Sequence, residues 1–212
     1  MAQPVNGEVH VVADVPAAFA ELVAAEVAKH EGGIFSMALS GGPTARRCYE
    51  RLASTDGIDW TGVAFYWGDE RCVPADDPDS NQRLGREALL DAIGDTAGVH
   101  PMNASECSDE LARAYEDVIR PVGGFDLLHL GFGPDGHTAS LFAGSPGESA
   151  PSERLVVCNS DPNEANPHER MTITYPVIDA AHLAVFTVSG VEKSEAFGRL
   201  LAGEDLPAAR VR

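Results

Sequence analysis

Positive charge is what this sequence has least of. Lys and Arg number 15 against 33 Asp and Glu, for a formal net charge of −18. That excludes nucleic acid as a partner, because its phosphates need clustered cations, and it excludes an anionic membrane surface. An acidic protein can still hold a small anion by gathering its few cations in one site. No C-x-x-C pair occurs: Cys48, Cys72, Cys107 and Cys158 are far apart. A zinc ribbon or redox motif is thereby disfavoured, and buried free thiols are the expectation. No uncharged apolar run approaches the ~18 residues of a membrane span. The opening MAQPVNGEVHVVADV has no basic region followed by an apolar signal core, so a reducing cytoplasm is the expected compartment.

What is present is 44% hydrophobic content over 212 residues, enough for one large domain spanning 1–212. Short apolar runs alternate with longer helical patterns. Strands are expected at 9–13 (VHVVA), 34–39, 63–67, 125–130, 155–159, 171–175 and 183–188. Helices are expected at 17–30, from about Pro43 to Leu52, from about Gln82 to Ile93, at 108–119 and at 191–203. In the helix at 108–119, Ser108 is an N-cap candidate and Leu111, Ala114, Tyr115 and Val118 share one face. The alternation predicts an α/β fold, Rossmann-like, with a mostly parallel sheet and helices on both faces.

Three loops concentrate polar chemistry. LHLGFGPDGHTASLFAG (128–144) follows a strand, and Gly131, Gly133 and Gly136 satisfy G-x-G-x-x-G. A dinucleotide site also needs a full crossover helix and, about 20 positions on, an acidic residue. Here TASLFAG is broken by Gly144, Pro146 and Gly147, and Asp161 comes late. The alternative is that the glycines turn the backbone while Asp135 and His137 project over the C-terminal edge of the sheet, where open α/β sheets bind ligands. His137 would then sit at a helix N-terminus, which favours a neutral imidazole base.

LSGGPTARRCY (39–49) is a second glycine loop between a strand and a helix. Its N–H groups at Gly41, Gly42 and Thr44, with the Ser40 and Thr44 hydroxyls, fit a phosphate cradle. They fit a tight turn with a capped helix equally well. WGDERCVPADDPDSNQR (67–83) puts Asp69, Glu70 and Arg71 just past a strand. Its D-x-D-x-N run imitates a calcium loop, but Gln82 and Ala88 stand where Gly and Glu are required. Ser80 or Asn81 fits a helix cap instead. Arg170 and Lys193 are the cations that stand out in the second half of the chain, and His129 reads as a core histidine.

Together LSGGPTARRCYERLA, WGDERCVPADDPDSN, LGFGPDGHTASLF, RMTITYPVIDAA and VSGVEKSEA resemble the 6-phosphogluconolactonases. These belong to a superfamily shared with glucosamine-6-phosphate deaminase. The matching segments occur in the family's order and run from Leu39 to Ala196. The resemblance implies a glucosamine-6-phosphate deaminase-like fold and hydrolysis of 6-phosphoglucono-δ-lactone without metal or cofactor. It implies a small-molecule sugar phosphate lactone as partner, for a monomer or weak homo-oligomer. Two features depart from the pattern. Pro43 replaces a serine common in the first glycine loop, and LPAARVR resembles the start of a last segment that normally continues past Arg212. By that comparison the domain is C-terminally shortened or incomplete.

On this reading His137 takes the proton of a water attacking the lactone carbonyl, and Asp135 orients its imidazole. Arg71 donates to the oxyanion or to the phosphate. Ser40, Gly41, Gly42, Thr44, Asp69, Arg170 and Lys193 bind the sugar phosphate. Two alternatives remain: a sugar-phosphate isomerase/deaminase acting on glucosamine 6-phosphate, and a non-catalytic sugar-phosphate-binding domain. The latter would need an attached DNA-binding helix-turn-helix, which does not fit before Val9.

Overall fold

The runs FSMAL, VAFYW and LLHL carry no polar face because both of their faces are covered. In the computed structural model, which describes residues 6–212, they form three adjacent strands. In chain order the first elements are α1 (Val15–Lys29), β1 (Phe35–Leu39), α2 (Pro43–Ala53), β2 (Val63–Trp67) and β3 (Asp69–Arg71). A helical stretch follows, α3 (Asn81–Gly85), a π turn at Arg86–Leu90 and α4 (Asp91–Ile93). Then come β4 (Gly98–Val99), α5 (Asp109–Ile119), β5 (Leu127–Leu130), β6 (Val156–Asn159) and β7 (Arg170–Ile173). The chain ends through α6 (Tyr175–Asp179), β8 (Ala184–Phe186), α7 (Ser194–Leu201) and a 3-10 turn at Pro207–Arg210.

A five-stranded parallel sheet has the order β4-β2-β1-β5-β8. Every residue of β1, β2 and β5 is buried, as parallel strands between two helical layers require. The expected Rossmann-like α/β architecture is therefore present, with one addition. The segments at 155–159 and 171–175 do not extend the parallel sheet. They pair with β3 in a separate antiparallel sheet of order β3-β7-β6. Among the described residues no helix is long and apolar enough to cross a membrane.

Two expectations fail for identifiable reasons. VHVVA forms no strand, and Val11 is 95% exposed. A β-branched run becomes a strand only if a ladder partner is available, and this one runs over the surface until Asp14 caps α1. The buried face of α5 is Ala112, Tyr115, Glu116 and Ile119 rather than Leu111, Ala114, Tyr115 and Val118. A buried carboxylate turns the helix: Glu116 Oε1 accepts from Arg154 Nε at 2.7 Å and from the Leu155 and Val156 N–H groups at 3.0 and 3.1 Å. Ser108 caps α5 as expected.

His129, on β5, is a core histidine with full hydrogen bonding. Its Nδ1 lies 2.8 Å from Tyr49 Oη and its Nε2 lies 2.8 Å from Thr187 Oγ1. Tyr49 also accepts from the Ser40 N–H at 2.7 Å, so the network ties the loop after β1 to the loop after β8. Burial pushes the His129 pKa down to about 3. The folded imidazole thus resists a proton that the unfolded chain accepts near pH ~6.5. Its contribution to stability is complete above that pH and is lost as pH falls toward 3. At pH 5 the expected loss is about 2 kcal/mol. Urea unfolding of wild type and His129→Gln at pH 7 and pH 5 should show a larger acid-side loss in the wild type than in the variant.

Candidate active site

Parallel strands put their C-terminal ends on one edge, and four chain segments meet there. The first is the turn after β1. Gly42 has φ of +93° and Pro43 opens α2, whose N-terminus carries no side-chain cap. The first-turn N–H groups are thus left to face outward with the macrodipole behind them, which suits an anion. Gly41 is required for closeness: a Cβ there would collide with the Asn81 side chain. Ser40 and Thr44 are both buried, and Ser40 Oγ lies beside Gly131 of the next loop.

The second segment is β3. Alternation along a strand sends Asp69 and Arg71 to one face and Glu70 to the other. Glu70 turns back and caps α3, accepting from the Asn81, Gln82 and Arg71 N–H groups at 2.7, 2.6 and 2.7 Å. Burial pushes its carboxyl above its ordinary value against the pull of those donors. Glu70→Gln replaces one acceptor oxygen by a donor and should cost about 1–3 kcal/mol in urea unfolding. Ser80 is the helix cap itself, accepting from the Arg83 N–H.

The third segment is the β5 loop. Asp135 Oδ1 sits 2.6 Å from His137 Nδ1 and also accepts from the His137 N–H at 3.2 Å. A carboxylate at Nδ1 fixes the proton there and leaves the Nε2 lone pair outward. Among the described residues Nε2 has no hydrogen-bond partner, and the His137 side chain is 16% exposed. Burial pushes the Asp135 carboxyl up, but the hydrogen bond and charge of His137 outweigh it and hold the group below its ordinary value. Gly133 is close-packed against the pair: a Cβ would strike His137 Nδ1 and Asp135 Oδ1. The expected helix after His137 is absent. Residues 138–144 form tight turns with Ala139 at φ +48°, so Asp135 rather than a helix dipole orients the imidazole. The nucleotide reading fails with that helix, and the Asp161 carboxylate accepts from Asn163 and Asn166 instead.

The fourth segment is β7, which brings Arg170. It pairs in register with Arg71, and directly opposed residues project to the same face. Arg170 is 5% exposed, its Cζ lies 5.6 Å from the Phe142 ring centroid and its Nη1 is 3.9 Å from Asp69 Oδ2. His137 packs on the same Phe142 ring at 4.7 Å between centroids. Burial pulls the Arg170 pKa down, Asp69 opposes that and Arg71 adds to it. Arg71 Nη1 donates to the Asp79 carbonyl at 2.7 Å and Arg170 Nη1 to Ser140 Oγ at 3.4 Å, while the Nε atoms of both arginines are buried without a protein partner, so each guanidinium keeps unused donors for an anion. Lys193 stands at the start of α7, near Arg47, whose Nη2 reaches Thr44 of the α2 turn. Burial lowers the Lys193 pKa, Glu192 opposes this and Arg47 adds to it.

A family model described as glucosamine-6-phosphate isomerases/6-phosphogluconolactonase matches residues 8–212. The chain belongs to this family. It is 38% identical over 187 residues to the 6-phosphogluconolactonase of Synechocystis sp., covering 84% of this chain and 75% of that one. It is 36% identical over 173 residues to the 6-phosphogluconolactonase of Mycobacterium tuberculosis, covering 74% and 69%. The crystal structure of 6-phosphogluconolactonase from Thermotoga maritima superposes with a TM-score of 0.84 at 31% identity, covering 96% and 93%.

Three residues of this glucosamine-6-phosphate isomerase/6-phosphogluconolactonase chain escaped sequence reasoning. Ser140 docks the His137 loop onto the antiparallel sheet. Its Oγ donates to Asp69 Oδ2 at 2.6 Å, its N–H to Thr172 Oγ1 at 3.1 Å, and its carbonyl accepts from Asn159 Nδ2 at 2.7 Å. Asn81 closes the other side of Asp69 through Nδ2 at 3.2 Å. Arg47 places its Nη2 3.5 Å from Thr44 Oγ1, one turn into α2. Ser140 lies inside the family segment GHTASLF, the one signal that pointed to it.

Proposed function

We propose that the protein hydrolyses 6-phosphoglucono-δ-lactone to 6-phosphogluconate, a step of the oxidative pentose phosphate pathway. The Asp135–His137 pair, with Nε2 free beside two anion-ready arginines, is the observation that carries this reading. The relatives named 6-phosphogluconolactonase support it. A lactone is an activated ester, so water needs only a modest base and an electrophilic partner for the oxyanion. His137 Nε2 takes a proton from water as its oxygen attacks the carbonyl carbon. The imidazolium, stabilised by Asp135, returns that proton to the ring oxygen when the C–O bond breaks. Arg71 donates to the developing oxyanion. Arg170, Lys193 and the uncapped α2 turn with Ser40, Gly41, Gly42 and Thr44 hold the phosphate. Asp69 keeps Arg170 and Ser140 in place.

The deaminase reading needs a free carboxylate over the sugar's first two carbons and an acid after the histidine. Asp69 is instead tied to Ser140 and Asn81, and residues 138–142 contain no acid. The purified protein is expected to hydrolyse freshly generated 6-phosphoglucono-δ-lactone well above the spontaneous rate and to release no ammonia from glucosamine 6-phosphate. Stoichiometric ammonia, absent in His137→Ala, would reverse the assignment.

A further inference from the structure

Three of the four cysteines, expected as scattered buried thiols, gather on the antiparallel sheet. Cys72 directly follows Arg71, and its N–H donates to the Glu169 carbonyl at 2.8 Å. Cys107 lies just before α5, and its Sγ donates to the Arg170 carbonyl at 3.0 Å. Cys158, on β6, is the register partner of Met171 and a further hydrogen-bonding neighbour of Cys107. The Cys72 and Cys107 sulfurs are 2.6 Å apart, and both residues are half-buried rather than sealed in the core. The fourth thiol, Cys48, is buried on α2. Among the described residues no group of three such side chains is arranged to hold a metal ion.

We propose that Cys72 and Cys107 are a modification site, a thiol pair that a low-molecular-weight disulfide oxidises to an intrachain disulfide across the edge that carries Arg71 and Arg170. Two sulfurs already in contact meet the geometric demand that most cysteine pairs fail, because little backbone movement is needed. Partial exposure admits the oxidant, and the reaction runs by two exchanges. The Cys72 thiolate attacks one sulfur of the oxidant, forming a mixed disulfide and expelling one small thiolate. The Cys107 sulfur, giving its proton to solvent base as it attacks, then displaces the second small thiolate from the Cys72 sulfur. The chain loses two electrons and two protons, and the oxidant leaves as two thiols. The Cys107 thiol is engaged with the Arg170 carbonyl at 3.0 Å, so Cys72 is the sulfur that opens the exchange. Among the described residues Cys72 makes its sulfur contact with Cys107 and no hydrogen bond joins Cys158 to Cys72, which leaves Cys158 a spectator.

The disulfide joins positions 35 residues apart. It straps the end of β3 to the segment entering α5, next to the carbonyl of Arg170, and none of this depends on the reaction proposed for the site. The test is incubation of the purified chain with oxidised glutathione, followed by thiol counting, peptide mass mapping and thermal unfolding. The expected result is a fall from four free thiols to two, a peptide joining Cys72 to Cys107, and a midpoint about 5–10 °C higher that dithiothreitol reverses. Cys72→Ser and Cys107→Ser should lose the shift, while Cys48→Ser and Cys158→Ser keep it. Glutathione adducts on single cysteines, a Cys107–Cys158 linkage, or a Cys72–Cys107 linkage without a rise in midpoint would overturn the proposal. The mapping is done on the unsubstituted chain, so a variant that fails to fold does not blunt it.

Discussion

His137→Ala is expected to lower kcat by ~10²–10⁴-fold, the usual contribution of a positioned general base. The effect should fall on kcat far more than on KM, because the imidazole acts on the water and ring oxygen rather than on the phosphate. The side chain is more enclosed than an exposed loop position would be, since it packs against Phe142. His137→Gln therefore serves as the companion variant: it fills the space and still reaches Asp135, but it cannot carry the proton. Both variants should unfold near the wild-type urea midpoint. Retention of more than about a tenth of wild-type kcat in both would remove His137 from the base role. Asp135→Asn should mimic them in part, by leaving the wrong ring nitrogen protonated.

The second large effect is on binding. Arg170→Ala should weaken 6-phosphogluconate binding by about 10–150-fold, the equivalent of one charge-assisted contact of ~1.5–3 kcal/mol. Burial makes that figure credible here, because a guanidinium removed from water is little screened by salt. Arg170→Lys keeps the charge without the planar fork and should fall between the two. Lys193→Ala is expected to act in the same direction and more weakly, since Lys193 is less enclosed. Unphosphorylated gluconolactone supplies the control: wild type should use it poorly and the variants no worse. Calorimetric titration showing unchanged affinity in both variants would leave Arg170 a buried structural partner of Asp69 and Lys193 a surface charge, and would move the phosphate elsewhere.

Apolar runs and glycine turns were enough to read the α/β fold, because a strand buried on both faces must be hydrophobic throughout. The edge that bears the candidate site was legible for a related reason. Gly41, Gly133 and Gly136 stand where another side chain would collide with Asn81, with His137 and Asp135, or with Leu206. Those close approaches mark the loops in the sequence before any contact is known. The Asp135–His137 pair was within reach because two residues of spacing lets one carboxylate meet both the imidazole and its own N–H.

Only the tertiary structure could decide the partners that are distant in sequence. Register across β3 and β7 sets Arg71 beside Arg170, and neither strand's own pattern contains that information. Glu116 and Arg154 are 38 residues apart, yet their pair fixes which face of α5 is buried, against the apolar periodicity. Ser140 joins Asp69 over 71 residues and holds the histidine loop without a helix. A lone hydroxyl, carboxylate or thiol carries no periodicity, so its role is set by whichever group the fold brings within hydrogen-bond reach. The sequence by itself determined the scaffold, the loops and the Asp135–His137 pair, whose signals are local. The pairing of cations, the capping duty of Glu70 and the meeting of Cys72 with Cys107 were decided by packing, which is not local.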